Sequence, residues 1–402
     1  MKPLPQIVRH DPLRDEDFSL VLGGPTFQLL RRSHLSDGAL GLMWKRMIVI
    51  SLLCWLPLLV LSALEGNALG GNITIPFLRD AEVYTRFLMA IPLLVCAELI
   101  VHLRLRFVVR QFLERRLIPE SAMPRFEAAV ESAFRLRNSV PAELLLFAFV
   151  YAVGILVIWR QYVAIDVSTW YATRSAEGAK LTLAGMWFSY VSLPLFQFLM
   201  CRWYFRLFIW VRFLWQVSRI DLRLVPTHPD RVGGLSFLSN TVFAFVPILL
   251  AHGALLAGLL ANRIFYVGAR LPDFAIDIIV LVAFLTCLVL GPLLVFAPQL
   301  AHTKRLGLRE YGTLAERYVR TFDEKWLRGR VPPGEPLIGS GDIQSLADMG
   351  ASYEVVQGMR IMPFTNFAVL FLAAVTAAPM APLVLTMMPL QELLQKLLGM
   401  LF

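Results

Sequence analysis

Apolar residues in this chain gather into long blocks and do not alternate with polar ones. Seven blocks of 17 to 24 residues stand out, at 47–64, 87–103, 141–159, 181–201, 241–261, 274–296 and 364–387. A helix needs about 20 mostly apolar residues to cross the hydrocarbon core of a bilayer. Only a helix satisfies every backbone N–H and C=O inside such a segment, whereas barrel strands would show short alternation. The pattern predicts an all-α fold: a polytopic α-helical membrane bundle of about seven transmembrane helices.

The polar intervals divide the rest. Residues 1–46 read as a polar N-terminal segment, with the first block as an uncleaved anchor. Residues 47–300 form the membrane domain, with helical extensions at 104–140 and 202–240. Residues 301–363 form a helical segment of their own. There Tyr311, Ala315, Tyr318, Phe322 and Trp326 repeat at helical spacing. A Pro- and Gly-rich stretch follows, and Asp342 is positioned to cap a second helix. Residues 364–402 hold the last span and a Leu-rich tail that suits a helix lying in the interface. Pro379 and Pro382 offer an alternative for the last span, a re-entrant pair.

Charge gives the blocks a direction. Of the 38 Lys and Arg residues, 30 fall in the N-terminal segment and in 104–140, 202–240 and 297–363, and 8 fall in the intervening loops and the tail. Basic residues collect on the cytoplasmic side, so the N-terminus is expected there. The net charge of +9 is then matched to anionic lipid headgroups, not to nucleic acid. The four cysteines form no CxxC or Cys/His cluster, so neither a metal site nor a disulfide framework is expected. No cofactor motif and no catalytic signature such as HExxH, GxSxG or a Walker loop occurs.

Ionisable groups inside the blocks are the best pointers to function, because each is costly in hydrocarbon unless paired or wetted. Glu98 and His102 share a helical face in the second block. Their readings are a proton- or cation-handling site, or a structural pair of Glu98 with His102 or with an arginine of a neighbouring helix. His252 lies near the middle of the fifth block among Gly253, Ala257, Gly258 and Ala261, where small residues let another helix approach closely. It reads either as part of a permeation path or as a neutral histidine bonded across a tight contact. Gln197 joins these as a transport-path candidate. In the fourth block and its extension, Arg202, Arg206 and Arg212 lie on an arginine stripe with Arg219 and Arg223, beside Trp203, Trp210 and Trp215. That stripe suits a headgroup interface. A voltage sensor would need its arginines within the span itself.

The segment Thr227-His228-Pro229-Asp230-Arg231-Val232-Gly233-Gly234-Leu235 precedes the fifth block. Its His-Pro-Asp triplet matches the J-domain signature, but the helical hairpin of that domain is missing. Pro229 and the glycines specify a sharp turn. His228, Asp230, Arg231, Gly233 and Gly234 could also hold an anion or phosphate headgroup. This His-Pro-Asp-x-x-Gly-Gly-Leu core within 221–238, with Gly341-Asp342-Ile343-Gln344-Ser345-Leu346-Ala347-Asp348, resembles elements of an uncharacterised family of multi-pass bacterial inner-membrane proteins. The resemblance implies a bacterial inner membrane and brings no activity.

Three function classes follow. A channel or transporter for ions or small solutes is motivated by the intramembrane Glu and His groups and the many prolines of the spans. A membrane-embedded scaffold or accessory subunit is motivated by the ordered polar helices and the missing catalytic set. A lipid-headgroup-binding protein is motivated by the arginine stripe. Partners in keeping with these are anionic headgroups, a second copy of the chain, and a membrane or cytoplasmic protein.

Overall fold

The computed structural model describes residues 18–32, 42–70, 73–163, 169–175, 178–336 and 339–387. It is an all-α bundle. Its long helices are α1 (Pro25–Arg32), α2 (Met43–Leu64), α3 (Ile91–Glu114), α4 (Met123–Arg137), α5 (Val140–Val163), α6 (Leu193–Val217), α7 (Val246–Val267), α8 (Ala275–Leu290), α9 (Ala297–Phe322), α10 (Gly341–Gln357) and α11 (Asn366–Ala377). With their flanking short turns, six helical stretches are long and apolar enough to cross a membrane: Met43–Leu64, Ala81–Glu114, Leu183–Val217, Ser236–Val267, Leu271–Leu327 and Asn366–Thr386. The pair Glu120–Arg137 and Val140–Gly154, bent by 46°, makes a seventh if its two helices count as one span. The expected blocks all lie on these helices. The tail expected to lie in the interface, 390–402, is outside the described residues.

Proline shapes two spans. Pro92 and Pro194 each follow a widened π-turn, Thr85–Ala90 and Phe188–Ser192. A proline cannot donate to the carbonyl four residues back and crowds it, so the preceding turn opens. For Pro194 the released carbonyl is that of Tyr190, and the Tyr151 hydroxyl of α5 donates to it at 3.2 Å. The two widened turns meet through Phe87 and Phe188, with rings 6.2 Å apart edge to face. Near Pro379 and Pro382 the last span tightens into a 3-10 stretch, Ala378–Thr386, and continues.

The two ends of the bundle are built differently. The end carrying residues 65–80 and 169–183 closes on Asp80. This buried carboxylate accepts Trp170 Nε1 at 2.8 Å, Asn262 Nδ2 at 2.7 Å and the backbone N–H of Glu82 at 3.0 Å. A short antiparallel pair, β1 (Ala172–Ser175) and β2 (Gly178–Leu181), lies in this loop. Such small structure was not legible in the hydropathy pattern.

The basic end holds a core like that of a soluble protein. Phe18 packs against Phe134, Trp210 and Phe213, and Phe112 against Phe126, Phe237 and Phe296. Residues 18–21, assigned from sequence to a polar segment, are buried beneath the bundle. Beyond this core α9 and its π-turn Asp323–Leu327 extend the sixth span by about 45 Å at 1.5 Å per residue. α10 runs back along it. Asp342 lies within α10, not at its cap, and its carboxylate receives Lys325 Nζ at 2.8 Å and Trp326 Nε1 at 2.9 Å.

Candidate functional site

Three spans meet at one carboxylate, and a fourth joins them through an arginine. Glu98 stands on the inward row of α3, with Leu94, Ala97, Val101, His102 and Leu105. Its Oε2 accepts Arg46 Nη1 of α2 at 2.6 Å, and its Oε1 accepts Arg206 Nη1 of α6 at 2.9 Å. Arg202 Nη1 lies 3.7 Å from Glu98 Oε1, and Arg202 Nε lies 3.5 Å from Oε1 of Glu143 on α5. Glu143 also receives the backbone N–H and hydroxyl of Thr26 at 2.8 and 2.6 Å.

Three guanidinium groups and two carboxylates thus share one buried centre with a formal charge of +1. Arg46, Arg202 and Arg206 are 1, 5 and 4% exposed, and Glu98 is 6% exposed. An unpaired ion at such a position costs several kcal/mol, so each charge depends on its neighbours. Arg206 also stacks over Trp203 at 4.7 Å, a contact that stabilises a desolvated guanidinium. Arg202 sits at ion-pair distance from two carboxylates but beyond good hydrogen-bond length from either.

This corrects the arginine stripe. Arg202 and Arg206 do not face headgroups; with Trp203 and Trp210 they lie inside the bundle. Counting an arc of arginines treats each one as seeking water. Carboxylates on α3 and α5 make the interior the better environment for two of them. Arg212, farther along α6, donates to Ser132 Oγ of α4 at 2.5 Å. Arg46 was hidden for a related reason. α2 begins at Met43, one turn before the apolar block, so Arg46 is helical and inward instead of belonging to a polar tail.

Two of the other intramembrane candidates, His252 and Gln197, occupy different contacts of α6. His252 Nδ1 lies 2.7 Å from the carbonyl of Ile248, which can only accept, so the ring proton is there. His252 Nε2 is then the acceptor for the Tyr204 hydroxyl at 2.6 Å. At 100° per residue, Tyr204 lies about 160° around α6 from both Arg202 and Arg206. His252 and Glu98 therefore address opposite sides of one helix. Gln197 is half-buried towards α5: its Oε1 would lie 3.1 Å from a Cβ at Gly154. His102 Nδ1 meets Ser19 Oγ at 2.9 Å, joining α3 to the buried N-terminal strip.

The small-residue row of α7 does bring helices close. A Cβ at Gly253 would sit 2.2 Å from the Thr376 carbonyl of α11, and one at Gly258 would sit 2.0 Å from Thr85 Oγ1.

The His-Pro-Asp segment folds as the sharp turn. Asp230 Oδ1 accepts the N–H groups of Val232 and Gly234 at 2.9 and 3.1 Å, and Oδ2 accepts that of Ser236 at 3.1 Å. His228 Nδ1 lies 2.9 Å from Oδ1. The Gly234 donor proposed for an external anion is thus taken by the chain's own carboxylate. Partial burial works to raise the Asp230 carboxyl, but the three backbone donors and His228 outweigh it and hold it below its ordinary value. Arg231 adopts φ +57°, and its carbonyl accepts the Arg360 N–H at 2.7 Å. Gly233 and Gly234 have φ of +64° and +100°. Pro226, just upstream, lies where a Cβ at Gly307 of α9 would come within 2.5 Å of it. Lys304 Nζ donates to the Met359 carbonyl at 2.8 Å. The segment therefore fastens α9 and the chain after α10 to the membrane bundle.

Among the described residues no group of His, Cys, Asp and Glu is arranged to hold a metal ion. No protein-family model, curated protein or solved structure matches the chain.

Proposed function

We propose that this integral membrane protein is a scaffold or accessory subunit, anchored by its bundle and presenting the α9–α10 hairpin to a soluble protein. The observation that carries this reading is the hairpin itself. A membrane span continues as helix for about 45 Å beyond its apolar part. It is braced by α10 and fixed at its base by Gln299, whose Nε2 donates to the carbonyls of Ser218 and Ile220 at 2.7 and 2.6 Å. Leu314, Val319 and Ile343 are exposed along this polar arm. The intramembrane charges serve as an interhelical lock in this reading. The charge asymmetry favours a cytoplasmic arm and N-terminus, and the family resemblance favours a bacterial inner membrane.

A photo-crosslinking residue at Val319, in native membranes, tests this reading. The expected result is one discrete heterologous adduct, lost when the residue is moved to Ile279, exposed on the apolar helix α8. Absence of any adduct from the arm would count against it.

A second reading, a conduit for small ions, is favoured by the buried charges at the junction of four spans. Flux of ions across proteoliposomes under an imposed gradient, abolished in Glu98→Gln, would favour it over the scaffold.

A further inference from the structure

The fifth span begins in two pieces. A short helical turn, Thr241–Ala244, breaks at Phe245 before α7 starts at Val246. Pro247 has no N–H to give to the Phe243 carbonyl four residues back, so the helix cannot run straight through. At this break lies an open groove of about 420 Å³, bounded by the start of the fifth span, α3 and α11.

α3 lines the groove with Ile100, Leu103 and Arg104, neighbours on one helical face. Phe243 and Pro247 form the second wall, and Phe371 of α11 the third. Phe243 meets Phe371 with rings 5.2 Å apart, and Phe371 stacks on Phe367 at 6.0 Å. Leu103 and Phe367 are exposed apolar residues on membrane spans, so the groove faces lipid. Every lining residue except Arg104 is apolar.

Arg104 follows directly on the apolar block that ends at Leu103, at the basic end of α3, which places its guanidinium at headgroup level. Ile100 and Pro247 lie one turn deeper than Arg104 and Phe243, about 6 Å along their helices. The guanidinium is 5.8 Å from the Phe243 ring. No carboxylate lines the groove, and among the described residues Arg104 forms no ion pair. A cation at this depth above an apolar cleft matches a lipid phosphate above an acyl chain. The missing carboxylate decides the headgroup. The ammonium of a zwitterionic lipid finds no counter-charge here, whereas a net negative headgroup brings no second cation.

We propose that this groove binds one anionic phospholipid, with its phosphate on Arg104 and an acyl chain against Ile100, Pro247 and Phe371. A water-borne phosphate would gain a single cation and make no use of the apolar walls. The site takes no residue from the α9–α10 arm, so it goes beyond the scaffold reading and stands without it.

The test is native mass spectrometry of the full-length protein, incubated in detergent with phosphatidylglycerol or with phosphatidylcholine of the same acyl chains. Melting temperature is measured in each lipid and in inorganic phosphate. The wild type is expected to hold one phosphatidylglycerol about five-fold or more tighter than phosphatidylcholine, the gain from one cation at the headgroup. It should melt higher with that lipid and show no change with inorganic phosphate. Arg104→Gln is expected to lose the preference. Ile100→Trp, which fills the groove and keeps the charge, is expected to weaken phosphatidylglycerol binding as well. Arg309→Gln, which removes an exposed charge from α9, is expected to leave it unchanged. The wild-type comparison decides even where a variant fails to fold. Equal retention of the two lipids overturns the proposal, and so does an undiminished preference in folded Arg104→Gln. An equal loss in Arg309→Gln, or an equal response to inorganic phosphate, overturns it too, since general surface charge or free phosphate would then explain the binding.

Discussion

Tyr204 on α6 donates its hydroxyl to His252 Nε2 on α7 at 2.6 Å, while His252 Nδ1 donates to its own helix at Ile248. The Ile248 carbonyl, which can only accept, thereby fixes a ring proton on Nδ1. The histidine acts as a tie between two spans, and both of its nitrogens are occupied.

Replacing Tyr204 by Phe leaves that acceptor without its donor at little change in volume. Hydrogen bonds between membrane helices contribute about 1 kcal/mol. Tyr204→Phe is expected to destabilise the bundle by about that amount in an unfolding titration. A double-mutant cycle with His252→Phe should recover a coupling of the same order. A coupling near zero would mean that the contact is incidental.

Glu98 is the common acceptor for two guanidiniums and the near neighbour of a third. Glu98→Gln removes their counter-charge and should cost about 3–5 kcal/mol, the range for breaking a buried ion pair on one side. Adding Arg206→Gln should restore part of that loss, since one surplus cation goes with it. Thermal unfolding of both variants in detergent checks the order. A single variant as stable as wild type would show that the charge is offset from elsewhere.

Asp230 sets a pH limit on the loop that fastens the arm. Its folded carboxyl lies below the unfolded value of about 3.9, so the loop gains stability above that value. The gain is lost as pH falls through the lower, folded value. Hydrogen exchange of residues 225–236 should therefore stay slow from pH 7 down to about 4 and quicken below it. Asp230→Ala should show the quickened exchange already at pH 7. Unchanged protection in that variant would remove Asp230 from its role.

Gly253 faces the Thr376 carbonyl of the last span. A backbone atom 2.2 Å from an added Cβ cannot rotate away, so Gly253→Ala must push α7 and α11 apart. A destabilisation of about 1–3 kcal/mol, as for other overpacked contacts, is expected in the same unfolding assay. Gly268→Ala serves as the comparison, because an added Cβ there meets nothing within 4 Å and only the positive φ of +74° is strained.

The sequence by itself determined that this chain is a bundle of about seven membrane helices, where they run, and that a tight turn stands at Pro229. These are local properties: hydrocarbon demands a continuous apolar segment, and proline and glycine restrict or free the backbone wherever they occur. It also showed which residues would be costly in the membrane, among them Glu98 and His252. Only the tertiary structure decided what each one meets. Arg202 and Arg206 looked like headgroup-facing cations, and Arg46 like part of a polar N-terminal segment, until a carboxylate on another helix was seen to draw each inward. The burial of Phe18 and the reach of Asp80 to Trp170 and Asn262 left no trace in periodicity either. A charge's preference for water or interior depends on its partners, and those partners lie 52 to 182 positions away along the chain. No local pattern carries that distance.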